Sequence, residues 1–145
     1  MQNRRIFLQQ TAFAAGSMLV SKSMLADVTE QNSVNKLTIL HTNDVHSRLE
    51  PFPMDGGRNQ GLGGVAARAE LIKKIRGQEE HVLLLDAGDI FQGTPFFNIY
   101  KGEPEMKAMA AMAYDASTMG NHDFDAGLEN FTTQLQHANF PILMC

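Results

Sequence analysis

A chain of 145 residues has room for one small domain, and a formal net charge of −4 gives nucleic acid no electrostatic reason to bind. No run of about 18 consecutive apolar residues occurs, so stable membrane insertion through a spanning helix is not expected. The one cysteine, Cys145, has no partner for an internal disulfide.

The first element in chain order reads as an export signal. Arg4 and Arg5 stand before Phe7-Leu8, and a modestly apolar, acid-free run follows from Thr11 to Val20, which is the twin-arginine pattern. It predicts a signal peptide over residues 1–26 and a polar linker over 27–36, with Met24 a poor small residue for the cleavage motif. Removing residues 1–26 leaves 9 basic against 16 acidic residues, a net charge of −7. The predicted location is outside the cytoplasm, in the periplasm or at the surface of a bacterium.

After the linker, Leu37–Leu40 predicts a short strand ended by His41-Thr42-Asn43-Asp44. A Pro/Gly-rich loop, EPFPMDGGRNQGLGG, leads into helical spacing at Val65, Ala69, Ile72 and Ile75, which Gly77 stops. GLGGVA fits the G-x-G-x-x-A pattern of dinucleotide sites, but a loop stands where that motif requires a strand, so no such site is expected. His81–Leu85 is a continuous apolar run of the kind buried in parallel sheets, followed at once by DAGD. Phe96, Phe97 and Tyr100 fall on the loop after Asp89 and are expected to pack over the sheet edge. A second helix should open at Pro104 and carry Met106, Met109, Ala110 and Ala113 inward. A third strand should end at Met119, a third helix should run from Ala126 to His137 with Leu128, Phe131 and Leu135 on one face, and Phe140–Met144 resembles a further strand. Alternation of this kind implies crossover connections and a layered α/β fold, a parallel sheet with flanking helices.

Ligands gather beyond the carboxyl ends of the strands in such sheets, and three polar clusters lie there. Asp44 and His46 follow the first strand, Asp89 the second, and Asn121, His122, Asp123 and Asp125 the third. Taken singly, each is a common loop pattern. Together they offer nitrogen and oxygen donors from three loops at one edge, as a pair of divalent cations requires, and such a pair can bind a phosphoryl group and activate water. Asp125 immediately precedes the last helix and would serve equally as its N-cap. Asp123 suits a supporting acceptor or an exposed acid, Asp86 a brace for the strand-end turn, and His137 a partner for a helix C-terminus.

TNDVHS, LDAGDIFQGTP and GNHDFD resemble the first three motifs of the calcineurin-like metallophosphoesterases. HTND-x-HS with GNHDFD is similar to the 5'-nucleotidase branch, which also contains UDP-sugar hydrolases and 2',3'-cyclic-nucleotide phosphodiesterases. The resemblance covers residues 37–145. It implies Asp44 and His46 on a first metal, Asp89 bridging two, Asn121 on the second, and His122 with Asp125 as a catalytic pair acting on a small-molecule nucleotide. Zn, Mn, Fe and Co all suit that donor set. Members of the family take further ligands from later histidines, including a Gly-His-x-His motif, and the branch adds a C-terminal nucleoside-gripping domain. Neither is found in these residues, so the expectation is the N-terminal part of a metallophosphoesterase domain, incomplete at its C-terminus and with little turnover alone. The competing expectation is a non-catalytic exported binding domain with a partial metal site.

Overall fold

The computed structural model describes residues 36–144; the expected signal peptide and nearly all of the linker lie outside them. Three parallel strands form the sheet: β1 (Thr38–Thr42), β2 (Val82–Asp86) and the two-residue β3 (Ala116–Ser117), in that order. Leu40 pairs with Leu84 and Thr42 with Asp86, while Leu85 pairs with Ala116. Ile142 bridges to Ser117 in parallel, so the expected strand over Phe140–Met144 reduces to one pairing. The layered α/β fold with a parallel sheet is therefore the observed one.

Helix α1 (Val65–Arg76) begins at Gly64, whose φ of 85° suits glycine, and buries Ile72. Its last turn carries Lys73, Lys74 and Arg76, favourably placed at the negative end of the helix. A short α2 (Pro95–Tyr100) occupies the stretch expected to be loop. Thr94 and Pro95 stand at its N-cap and first position, a readable start signal that the glycines and aromatics around it obscured. Within it Phe97 is buried and stacks on Phe91 at 5.3 Å, whereas Tyr100 stays 52% exposed. Only part of that aromatic group covers core.

Helix α3 (Glu103–Ala111) buries Met106 and Met109 as its spacing requires. Ala113 does not turn inward: the helix has ended, and this residue sits exposed at φ 55°. A 3-10 turn (His122–Phe124) precedes α4 (Leu128–Gln134), which continues as a second 3-10 turn (Leu135–His137). Gly127, not Asp125, occupies the N-cap of α4, because φ 87° there favours glycine. Leu128 is correspondingly 63% exposed and the apolar face rests on Phe131 and Leu135. Among the described residues, no helix is long and apolar enough to cross a membrane.

Phe91 is fully buried at the centre of the core, against Phe97 and, at 6.0 Å, edge-on to Phe131. Truncation to alanine removes those contacts and leaves a cavity. Phe91→Ala should cost about 3–5 kcal/mol, measured as a lowered denaturant midpoint. A loss below about 1 kcal/mol would show that the core closes around the gap.

Candidate metal centre

All three strands deliver their carboxyl ends to one edge, and the turns that follow interlock there. Asp44 N donates to Gly88 O at 3.0 Å, His46 N to Asp89 O at 3.1 Å and Ser47 N to Ile90 O at 2.8 Å, so the turn after β1 runs beside the turn after β2. Asp86, 6% exposed, accepts bonds from the Thr42 hydroxyl, Gly88 N and Ser117 Oγ, and the Thr42 hydroxyl also meets Tyr114 OH at 2.8 Å. Burial pushes the Asp86 carboxyl above its ordinary pKa, against the pull of these bonds. The network braces the strand ends from behind.

In front of that brace, one donor atom each from Asp44, His46 and Asp89 lies within 4.8 Å of the others. His46 Nε2 is 3.7 Å from Asp44 Oδ1. His46 Nδ1 stands 3.3 Å from the Phe91 carbonyl, which can only accept. A proton on Nδ1, donated to that carbonyl, would leave the Nε2 lone pair available to a metal on the side of Asp44. Two carboxylates and an imidazole at this separation fit a divalent cation of the Zn, Mn, Fe or Co type.

The backbone of this group is unusual in a way that sequence did not foretell. Asp44, His46 and Asp89 have φ of 53°, 44° and 56°, and Ser47 follows at 52°. Each non-glycine residue in the left-handed region costs about 1 kcal/mol or more, and such outliers collect where a site fixes side-chain direction. Two glycines make the close approach possible. A Cβ on Gly120 would overlap the Asp89 carboxylate, and one on Gly88, at φ 93°, would meet Gly120 N. The Gly-Asp and Gly-Asn pairs were the available sequence signal for this contact.

The third turn brings Asn121 and His122 to the same edge. His122 N donates to Asp89 Oδ1 at 3.0 Å, and the His122 and His46 rings meet edge to face at 5.3 Å. Asn121 is the exposed residue just before the 3-10 turn. Asp125, at the far end of that turn, places Oδ2 2.8 Å from His122 Nδ1. Hydrogen bonding to Asp125, with its charge and those of Asp89 and Asp123, raises the His122 pKa above 6.5 despite some desolvation. The same bond lowers that of Asp125.

In the metal-free protein, replacing Asp125 by asparagine removes the anion that favours imidazolium. The His122 titration midpoint should fall toward an ordinary value, followed through the ring C–H resonances by NMR. An unshifted midpoint would show that Asp125 does not govern that proton.

Beside Asp44 and His46 opens a cleft of about 590 Å³, with Arg48, Phe52 and Arg68 on its walls. The Arg48 guanidinium lies 4.2 Å over the Phe52 ring. Asp89 and His122 are not among its lining residues, so the cleft adjoins the cluster rather than containing it.

A layered α/β sheet presenting Asp, His and Asp donors at its carboxyl edge defines the class. The chain belongs to the calcineurin-like phosphoesterase family, whose model matches residues 37–145. Its similarity extends to a snake venom 5'-nucleotidase of Crotalus adamanteus, 53% identical over 112 residues, which are 74% of this chain and 19% of the relative. The human 5'-nucleotidase is 49% identical over 113 residues, covering 74% and 20%. The crystal structure of a 5'-nucleotidase precursor from Thermus thermophilus superposes with a TM-score of 0.67 at 40% identity, over 74% of this chain and 21% of the other. The chain thus spans about a fifth of the length of these relatives.

Proposed function

We propose that this chain carries the first metal-binding motifs of a phosphoric ester hydrolase acting on nucleotides, a 5'-nucleotidase-type enzyme. The observation that supports it most is the convergence of Asp44, His46 and Asp89 within 4.8 Å, with the His122 ring edge-on to His46. In this reading Asp44 and His46 would hold one divalent ion, Asp89 would be shared with a second, and Asn121 would offer the second a neutral oxygen. Bound there, the ions would supply an activated water and neutralise charge on the phosphoryl group.

The chain's own residues provide the rest. Asp125 fixes the His122 ring through Nδ1 and favours its protonated form, leaving Nε2–H free to act. As a water oxygen bonds to phosphorus and the bond from phosphorus to the leaving oxygen breaks, that N–H stabilises a phosphoryl oxygen or gives its proton to the departing alcohol. The guanidinium groups of Arg48 and Arg68, on the wall of the adjoining cleft, suit an anionic substrate. Export to the bacterial periplasm or surface, through the twin-arginine pattern of residues 1–26, belongs to the same proposal.

A hydrolysis panel with products separated by chromatography, run on the protein expressed from its complete reading frame, tests the substrate class. Conversion of AMP to adenosine and phosphate is expected to run well above conversion of UDP-glucose to UMP and glucose 1-phosphate, or of 2',3'-cyclic AMP to a nucleoside monophosphate. A reversed preference would move the protein to the sugar-nucleotide or cyclic-nucleotide activities. No conversion of any of the three would favour a binding domain with a partial metal site.

A further inference from the structure

We propose that Asp123 is a positioning residue of the metal centre, whose buried carboxylate holds the turn bearing Asp89 against the turn bearing Asn121 and His122. The inference rests on the metal-centre reading above. Asp123 is 0% exposed, and its side chain reaches across two turns that are more than thirty residues apart in sequence. Oδ1 accepts Ile90 N at 2.8 Å and Phe91 N at 3.0 Å; Oδ2 accepts Asp89 N at 3.0 Å and Gly120 N at 2.8 Å. Three consecutive amides of the Asp89 turn therefore point at one side chain, an anion nest whose anion belongs to the protein.

The nest has a consequence for Asp89. Its left-handed φ of 56° is uncommon outside glycine, even though aspartate tolerates it better than most residues, and Asp123 stabilises the amides that this conformation turns inward. The support is reciprocal, since Asp89 Oδ1 accepts His122 N at 3.0 Å. Each turn thus lends a carboxylate to the other's backbone. Asparagine at position 123 would keep the shape but offer one accepting atom in place of two, setting its NH₂ against two backbone N–H groups. The Asp89 turn would then relax, and its carboxylate would lose its place beside Asp44 and His46.

The test compares Mn²⁺ binding by calorimetry in the wild-type protein from its complete reading frame and in its Asp123→Asn variant, below the melting temperature of both, with amide hydrogen exchange on the metal-free proteins. Asp123→Asn should weaken Mn²⁺ binding by about 10- to 100-fold, as loss of an outer partner does. Exchange should accelerate at Asp89, Ile90, Phe91 and Gly120 while the β1 and β2 amides keep their protection. A purely structural role would lower the melting temperature and leave the affinity of the folded protein unchanged, which would overturn the proposal. Should Asp123→Asn not fold, Asp123→Glu, a carboxylate one methylene longer, decides in its place: weakened binding supports the positioning role and wild-type binding overturns it. A wild-type protein from the complete reading frame that binds no Mn²⁺ and no Zn²⁺ would overturn the metal-centre reading itself, whatever the variants do.

Discussion

Asp89→Ala should strip divalent metal from the protein. Asp89 stands in the donor cluster with Asp44 and His46, so its removal leaves one carboxylate and one imidazole where three donors converged. It also takes away the acceptor for His122 N, loosening the third turn, and puts alanine at φ 56°, where aspartate is the better tolerated residue. The affinity loss should exceed the roughly 10- to 100-fold that an outer partner costs. Asp89→Asn separates these effects, because it keeps an accepting oxygen and tolerates the left-handed backbone while losing the charge. Metal content by mass spectrometry should fall in both variants, with the asparagine protein melting closer to wild type. Full metal occupancy in Asp89→Asn would remove Asp89 from the ligand set.

His122→Ala should act on the other side of the site, lowering kcat by about 10²- to 10⁴-fold while metal content stays near wild type. The distinction follows from which atoms each neighbour uses. Asp89 is bonded by the His122 backbone N–H, which alanine retains, whereas Asp125 is bonded by the ring, which alanine loses. The side chain is 42% exposed, so its truncation removes little packing. The measurement is steady-state phosphate release from AMP beside metal analysis on the same preparation of the protein from its complete reading frame. Equal metal loss in His122→Ala and Asp89→Ala would mean that the roles of ligand and proton donor have been misassigned.

The strand and helix order was legible because the buried runs are short and marked. Leu83–Leu85 carries no polar residue, and the Met106, Met109 pair keeps helical spacing. Where the expectation failed, a local conformation overrode the pattern. Gly127 took the cap that Asp125 was free to occupy, and Ala113 left the helical face when the backbone turned left-handed. The helix at Pro95–Tyr100 was hidden by its length, six residues being too few to show a period.

The site divides in the same way. Residue types and loop positions pointed to Asp44, His46, Asp89 and the GNHDFD turn, since chemistry is visible in composition. Their interlock is not, because it depends on positive φ at Asp44, His46 and Asp89 and on two glycines that let Asp89 touch Gly120. Nor does sequence distinguish the two acids flanking Phe124. Asp123 turns inward to four backbone amides and Asp125 outward to an imidazole, a separation set by the 3-10 turn between them.

Chelation and restoration decide whether hydrolysis depends on a divalent cation at this site. The protein from its complete reading frame is dialysed against a chelator until metal is undetectable, and AMP hydrolysis is measured before and after Mn²⁺ or Zn²⁺ is returned. Phosphate release should disappear with the metal and return with it, and Asp89→Ala should not recover. Phosphate release that continues at its original rate in the metal-free protein would show that the hydrolysis does not run through a divalent cation.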